Sequence, residues 1–513
     1  MDAVSPARIP PESPCQHSFE DDQGDERAEW RRSMTTRVAD WISTFRVASP
    51  ELLRATSPWC ALQCFGQLLY SENIHGFELS HPVEKIDTFW SHSWHGSAWN
   101  KVLVLLLFYN GLPALLISSL LAALMFAFSS LGFLPGPEKP LTWGEEGETF
   151  VYSPWGLFCA FPICVGVWLL WRPRSSIFVD RLCIHQSDPE QKALGVLCMG
   201  AFLKNSKQML VLWDATYVER LWCVFELAAF LKCQKDNPAQ RLVVRPTCMA
   251  QIALTGIVCM AAVNGLSIFV DFGTLGLGPA LFWASFLFIF TSGAKVTRGY
   301  YFSVDKMKAQ LASFQFEKTK CYCCTVNHVE PDGSPLLCDR EVIRRCVLEW
   351  FGSLEAFEES VRGNVSCALT EALGRFALPL HWIYGVAITT LWTTIGAISG
   401  WIFQREYVYA LVVLARMLTW WLILGPLAFA CISGVGFALR HPCRRQCLDV
   451  SKSLLGAAIL VVTGGLMFEY QAACFRFAPS LWLACLAFAL GPSVLVVAAY
   501  TRGKCPGPRK SNA

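Results

Sequence analysis

The sequence predicts an α-helical multi-pass membrane protein of about eight transmembrane helices carrying a cytoplasmic α/β domain. Three observations lead there. Long apolar stretches recur along the 513 residues, Lys and Arg gather at alternate ends of those stretches, and one hydrophilic block alternates strand-like with helix-like patterns. Composition agrees, because 53% apolar against 16% charged residues is more apolar than a soluble globular chain requires. A net charge of +3 gives no electrostatic basis for binding nucleic acid.

In chain order, residues 1–29 are rich in Pro, Asp, Glu and Ser and hold no apolar core. They read as a disordered tail and not as a cleaved signal peptide, and 1–85 as a whole reads as a disordered, polar region. A bilayer core takes roughly 20 apolar residues as a helix. The first such stretch is 112–133, after a break expected at Asn110-Gly111-Leu112-Pro113. The second, 155–171, is short and has Trp at both ends, as interfacial anchors do. With 112–133 it makes an inserted hairpin, 112–171. Next come 249–270 and 276–294, joined by the turn Asp271-Phe272-Gly273-Thr274, and then 377–403, 417–439, 453–468 and 480–500. The seventh, 453–468, is barely long enough.

Orientation follows from the flanks. With the N-terminus inside, the inner flanks carry Arg172, Arg174, Arg241, Arg245, Lys295, Arg298, Arg440, Arg444, Arg445 and Lys452, followed by a basic tail, 501–513. The outer loops carry only Lys139, Arg405 and Arg476, with Glu138, Glu145, Glu146 and Glu148 beside the first. Both termini are therefore expected in the cytoplasm, as are the segments 86–100, 172–247 and 295–375. On this topology the sequon Asn364-Val365-Ser366 is unused, and the cytosolic thiols among the 23 Cys stay reduced.

The block 172–247 is the α/β segment. Residues 175–180 read as a buried strand ending in Asp180. Asp188-Pro189-Glu190 opens a helix, with Asp as N-cap and Pro at the first helical position, and Leu194, Leu197, Cys198, Ala201 and Phe202 follow at helical spacing. Residues 207–213 form a second strand, 216–232 a helix with Trp222, Phe225, Leu227 and Phe230, and 241–244 a third strand. Strand–helix alternation predicts a parallel sheet.

Ile177-Phe178-Val179-Asp180-Arg181-Leu182-Cys183-Ile184-His185-Gln186-Ser187-Asp188-Pro189-Glu190 resembles the HET-domain pattern of strand, Asp, Cys-Ile-Asn-Gln and Asp-Pro, with His185 in place of Asn. The strand 210–213, Tyr217, and Arg220-Leu221-Trp222-Cys223-Val224-Phe225-Glu226-Leu227 are similar to the TIR pattern of strand, Tyr and Trp-Cys-x-x-Glu-Leu. Upstream, Asp87-Thr88-Phe89-Trp90-Ser91-His92-Ser93-Trp94 is similar to a first TIR strand. These stretches cover about an eighth of the chain, and the membrane hairpin would interrupt the domain after its first strand and helix start, 86–100. The whole arrangement also resembles multi-pass proteins of photosynthetic protists, a likeness that implies no activity.

The TIR/HET resemblance implies a flavodoxin-like fold and signalling by self-association in the membrane plane. It also implies, for TIR domains that hydrolyse NAD, a catalytic Glu in the pocket for the nicotinamide ribose. Carried over, that residue is Glu226, with Trp90, Ser91 and Trp222 lining the NAD site. A carboxylate there would stabilise the oxocarbenium character of N-glycosidic cleavage. Many TIR domains are instead non-catalytic adaptors, so a scaffold in which Glu226 is only a helix residue stays open beside the NAD nucleosidase.

In 295–375, Cys321, Cys323, Cys324, His328 and Cys338 flank a loop with Pro331-Asp332-Gly333. Cys and His are the usual structural zinc set, although the spacing is not the common Cys-x2-Cys knuckle, and a Cys-rich chain produces such groupings readily. Asp339 can cap a helix with an apolar stripe of Val342, Ile343, Cys346, Val347, Trp350 and Phe351. Gly352 would end it, and Ser353 would start another helix with Leu354, Phe357 and Val361. The pair is expected to pack on the α/β unit or to lie at the membrane surface.

The rival function is a transporter or channel with regulatory cytoplasmic segments. Against it, ionisable groups inside the apolar stretches are scarce. Arg416 stands at the edge of the sixth, His381 near the start of the fifth, and Glu469 at the end of the seventh. Asn264 reads as an interhelical hydrogen-bond partner, and Gly396, Gly400, Gly434 and Gly436 read as sites of close helix packing. No phosphate-binding loop, dinucleotide fingerprint or zinc-protease motif occurs. Ser91-His92 sits in no nucleophile elbow, and neighbouring strand residues face opposite ways.

Overall fold

The structure is a computed structural model, and it describes residues 22–69, 76–140, 149–234, 241–269, 277–329, 333, 335–373 and 378–501. The expectations for residues 1–21, for the turn at 271–274, for Glu145, Glu146 and Glu148, for Pro331-Asp332 and for the tail from 502 lie outside the described residues. The chain divides into two compact units. Unit 1 is Met1–Leu105, Arg172–Thr247 and Ser303–Ala372, and unit 2 is Leu106–Trp171, Cys248–Phe302 and Leu373–Ala513.

Among the described residues, five helices are long and apolar enough to cross a membrane: Ala98–Ser130, Met249–Ile268, Tyr407–Ala438, Gln446–Phe477 and Leu481–Ala499. The pair Leu380–Val386 and Ile388–Phe403, bent by 49°, makes a sixth if taken as one span. They make the chain an integral membrane protein. Their outward faces carry exposed Leu120, Val462, Leu466 and Val494, a display that water does not tolerate and lipid does. Two further expected spans are marked by other helices. Trp155–Leu170, with 16 residues, is roughly 24 Å long, short of a full bilayer core. The 276–294 stretch is the first half of the Leu277–Ala312 helix.

Several boundaries differ from expectation. The Ala98–Ser130 helix runs straight through the expected break, with Pro113 inside it. Asn110 makes no turn; its amide donates to the carbonyls of Trp168 (2.8 Å) and Trp171 (3.4 Å), tying down the end of the Trp155–Leu170 helix. The sixth apolar helix begins at Tyr407, so Arg416 lies inside it and not at its edge, with its guanidinium 5.2 Å from the Phe475 ring. The seventh grows to Gln446–Phe477 because flanking polar residues continue the helix, and Glu469 lies well inside its end. Asn264 donates to the hydroxyls of Thr389 and Thr390 at 3.3 and 3.5 Å, across two helices. Gly396 and Gly400 do pack closely, but against extended backbone. A Cβ at either would lie within 2 Å of the carbonyl oxygen of Ser153 or Val151, beside the Glu138–Pro140 and Thr149–Val151 hairpin.

Unit 1 is built on a four-stranded parallel sheet: β1 (Ile86–His92), β2 (Ile177–Phe178), β3 (Ser206–Trp213) and β4 (Leu242–Pro246), in the order β2-β1-β3-β4. Six residue pairs join β1 to β3, from Ile86↔Ser206 to His92↔Leu212. The central strands are buried on both faces, as in a parallel sheet covered on both sides. Phe89 stacks on Phe178 at 4.7 Å, and Phe178 meets Phe202 at 5.0 Å. Asp188 caps its helix as expected, accepting from the amides of Glu190 and Gln191. The helix breaks at Cys198, however, and Leu194 is left exposed.

The polar, disordered reading of 1–85 is corrected over its described part. Asp22–Ser43 is a helix, followed by Pro50–Leu52, Pro58–Gly66 and a two-residue strand pair joining Arg54–Ala55 to His81–Pro82. The N-terminal helix is ordered by its partner, Asp339–Phe351. Ser43 donates to Glu349 at 2.6 Å, the Trp350 indole donates to Ser43, and Phe45 lies 5.0 Å from the Trp350 ring. In Asp339–Phe351 the stripe Val342, Ile343, Cys346, Val347 and Trp350 is buried. Trp350 reaches Phe225, and its carbonyl accepts from Lys232, so the Asp339–Phe351 helix packs on the α/β core.

Candidate functional site

The polar side chains of unit 1 converge at the carboxyl ends of its strands. Ser91, His92 and Ser93 come from the end of β1, Asp180 follows β2, and Asp214 follows β3. Over this edge lies the Leu221–Cys233 helix, whose Leu221, Cys223, Val224, Phe225, Leu227 and Ala228 are buried. That burial fixes the rotation of the helix and brings the partly buried Glu226 onto β1.

The Ser91 hydroxyl donates to Glu226 Oε2 at 2.5 Å and lies 2.6 Å from the Tyr217 hydroxyl. Tyr217 is fully buried and stacked on Trp213 at 5.1 Å. The Cys223 thiol donates to the His92 carbonyl at 3.5 Å. Beside this group, the Trp94 indole donates to Asp180 at 3.1 Å, and Arg181 stacks over the Trp94 ring. Asp214 accepts from the amide and hydroxyl of Thr216, and the buried Lys101 ammonium donates to the Ser93 carbonyl.

Burial dominates the electrostatics. It pushes the Glu226 carboxyl up to about 8; the Ser91 hydrogen bond pulls it down, the Asp180 charge pushes it up and Arg220 pulls it down. Burial likewise raises Asp180, opposed by the Arg181 amide and the Trp94 indole. His92 is driven well down by burial and then by Lys101, Arg220 and Arg181, so its imidazole is neutral. Buried polar atoms at this edge with no hydrogen-bond partner among the described residues include His92 Nδ1, Trp213 Nε1 and Asp214 Oδ2. Such atoms call for an occupant or a water.

Of the residues singled out from sequence, Ser91 meets Glu226. Trp90 does not, because consecutive strand residues point to opposite faces and Trp90 is buried on the other one. Trp222 lies one helical turn before Glu226, but its indole donates to Asp339 at 3.2 Å, which takes it toward the Cys-rich segment. Tyr217, already part of the motif, gains its role only through Ser91. Lys101 and Asp214 carried no sequence signal, since neither falls in a recognisable motif and each matters only through the burial and position of the strand ends beside it.

In the Cys-rich segment, Cys323, Cys324, His328 and Cys338 present ligand atoms that all lie within 4.8 Å of one another. Cys321 stands beside them, 3.0 Å from the Cys323 sulfur, and pairs with Asp339 in a second grouping. Burial raises Asp339 to about 7, against the Trp222 and Cys321 hydrogen bonds that lower it. Comparison of the chain with family models, with curated proteins and with solved structures gives no match.

Proposed function

We propose that the protein is a multi-pass membrane protein that displays unit 1 as a TIR-like, flavodoxin-like domain and cleaves NAD when clustered, signalling by self-association. In this reading the chain crosses the bilayer eight times with both termini cytoplasmic. The 155–171 and 276–294 stretches complete the count, and the basic flanks hold unit 1 in the cytosol.

The observation that carries the reading is the Ser91–Glu226 pair at the carboxyl end of β1. In open parallel sheets ligands bind outside the carboxyl ends, where the strand order reverses, and β2-β1-β3-β4 reverses at β1. The chemistry fits a cationic N-glycoside. With its carboxyl titrating at about 8, Glu226 is largely neutral alone, and a pyridinium placed beside it favours the carboxylate. That carboxylate stabilises the developing oxocarbenium ion. The C–N bonding pair leaves with nicotinamide, water adds at the sugar carbon, and one proton is released. The unpartnered His92 Nδ1, at the same carboxyl edge, leaves a polar atom that a bound hydroxyl or water would satisfy.

The test is nicotinamide release from NAD by the full chain packed densely in liposomes, wild type beside Glu226→Gln. Release that falls by about 100-fold or more in the variant supports the enzyme. Absence of release from densely packed wild type refutes it and leaves the scaffold. One observation favours the transporter or channel reading, namely Arg416 inside an apolar helix. Ion flux in the same liposomes, lost in Arg416→Leu, would establish that reading instead.

A further inference from the structure

We propose that Cys323, Cys324, His328 and Cys338 bind one zinc ion, and that this ion braces the start of the helix that bears Glu226. The geometry comes first. Zn–S bonds of about 2.3 Å and Zn–N bonds of about 2.0 Å set neighbouring donors in a tetrahedron roughly 3.5–3.8 Å apart. Here Cys323 and Cys324 sulfurs are 3.9 Å apart, Cys324 and His328 Nε2 are 3.6 Å apart, and Cys324 and Cys338 sulfurs are 4.0 Å apart. A chance grouping of thiols in a Cys-rich chain has no reason to bring four donors within 4.8 Å of one another with an imidazole nitrogen as the fourth corner.

The backbone is shaped to deliver those donors. A single helical turn, Tyr322–Thr325, presents the two adjacent cysteines. Asn327 and His328 then both take left-handed conformations, φ 54° and 61°, which costs an ordinary residue roughly 1–2 kcal/mol each. This pair reverses the chain so that the His328 ring returns to Cys324. The Val329↔Pro335 bridge and the bond from Leu336 N–H to the His328 carbonyl then bring Cys338 back to the same point. Three thiolates and an imidazole are a soft set that selects zinc over calcium or magnesium. Cys321 is placed as an outer partner. Its sulfur lies 3.0 Å from Cys323 and 3.9 Å from Asp339 Oδ2.

The same segment is stitched to the start of the Leu221–Cys233 helix. Leu221 N–H donates to the Lys320 carbonyl, Lys320 N–H donates to the Glu219 carbonyl, and the Trp222 indole holds Asp339, the residue after Cys338. An ion that fixes Cys323 and Cys338 therefore fixes both ends of this clasp, one helical turn from Glu226. The metal is structural and touches no reacting atom. This proposal stands on its own geometry and does not require NAD cleavage.

The test uses the full chain purified in detergent without chelators. Elemental analysis is expected to give about one zinc per chain in wild type, in Cys321→Ser and in Glu226→Gln, and far less in Cys324→Ser and His328→Ala. Cobalt exchanged into the wild-type protein should show the visible bands of a tetrahedral thiolate complex, a result that needs no variant to fold. Chelation should speed amide exchange at least tenfold in residues 221–224 while exchange in the Gln446–Phe477 helix stays unchanged. Zinc-free wild type that also gives no tetrahedral cobalt spectrum overturns the proposal. So does a zinc content that neither Cys324→Ser nor His328→Ala lowers. Nicotinamide release bears on neither outcome.

Discussion

Replacing Glu226 by Gln isolates the energetic consequence of enclosing one carboxyl at the end of β1. The unfolded chain releases this proton near 4.5, whereas the folded chain holds it to about 8. The folded state thus binds the proton more tightly. Stability is full below 4.5 and is lost as pH rises through 8, where a charge must be kept in the enclosure. Each pH unit of that interval is worth about 1.4 kcal/mol, which sets a ceiling near ~5 kcal/mol. Partial exposure of the side chain returns some of this to solvent, leaving roughly 2–3 kcal/mol. Gln keeps the shape and an oxygen for the Ser91 hydroxyl, and it cannot ionise. Amide exchange in Leu221–Cys233, corrected for intrinsic rates and followed in the full chain in nanodiscs, reads the difference. Wild type and Glu226→Gln should be protected alike at about pH 4, below the range in which the unfolded carboxyl ionises. At pH 9 the variant should be protected roughly 30- to 150-fold more, from the same 2–3 kcal/mol. A ratio that does not change between the two pH values would refute the enclosure of Glu226, and with it the account of the site.

Phe178→Ala removes a fully buried ring between Phe89 and Phe202 and should cost about 3–5 kcal/mol; limited proteolysis should then cut unit 1 while the Gln446–Phe477 helix resists. Gly400→Val drives a side chain into the Val151 carbonyl, so the Glu138–Pro140 and Thr149–Val151 hairpin must move, costing roughly 1–3 kcal/mol or more; a lower detergent melting temperature checks it, with Gly434→Ala, which meets no neighbour within 4 Å, as control. Asn364 lies inside the Leu354–Leu373 helix with its amide donating to the Ser360 carbonyl and hydroxyl, so it should carry no glycan in eukaryotic cells. A gel shift on glycosidase treatment, lost in Asn364→Gln, would place that helix outside the cytoplasm and overturn the proposed topology.

The membrane helices were legible because a run of apolar residues states its own solvent, and no distant partner is needed to interpret it. Their ends were not. Pro113 looked like a stop, yet Asn110 satisfies the carbonyls of a neighbouring helix and the chain continues. Arg416 looked like an edge because charge usually marks the interface, but here a ring of Phe475 covers it. The Asp22–Ser43 helix escaped notice since its few buried positions, Thr35, Ala39 and Ile42 among them, gain meaning only against Asp339–Phe351. At the site, Glu226 could be found from its local motif. Its bond to Ser91 could not, because 135 residues separate the two in sequence. The donor set of the Cys-rich segment was visible as composition, whereas the reversal at Asn327-His328 that closes it is a backbone property with no pattern in the side chains.

The strand order β2-β1-β3-β4 has a consequence for biosynthesis. The middle strand leaves the ribosome first, at residues 86–92, and both of its neighbours follow only after residues 176 and 205. In between come the apolar helices Ala98–Ser130 and Trp155–Leu170. Until then a strand carrying Ile86, Phe89 and Trp90 waits with both edges bare, the condition in which nascent chains stick to one another. Cells making this protein would need to shield that strand for the length of about 90–120 residues of synthesis, and a stalled ribosome in the first hairpin would leave an aggregation seed and not a half-built domain.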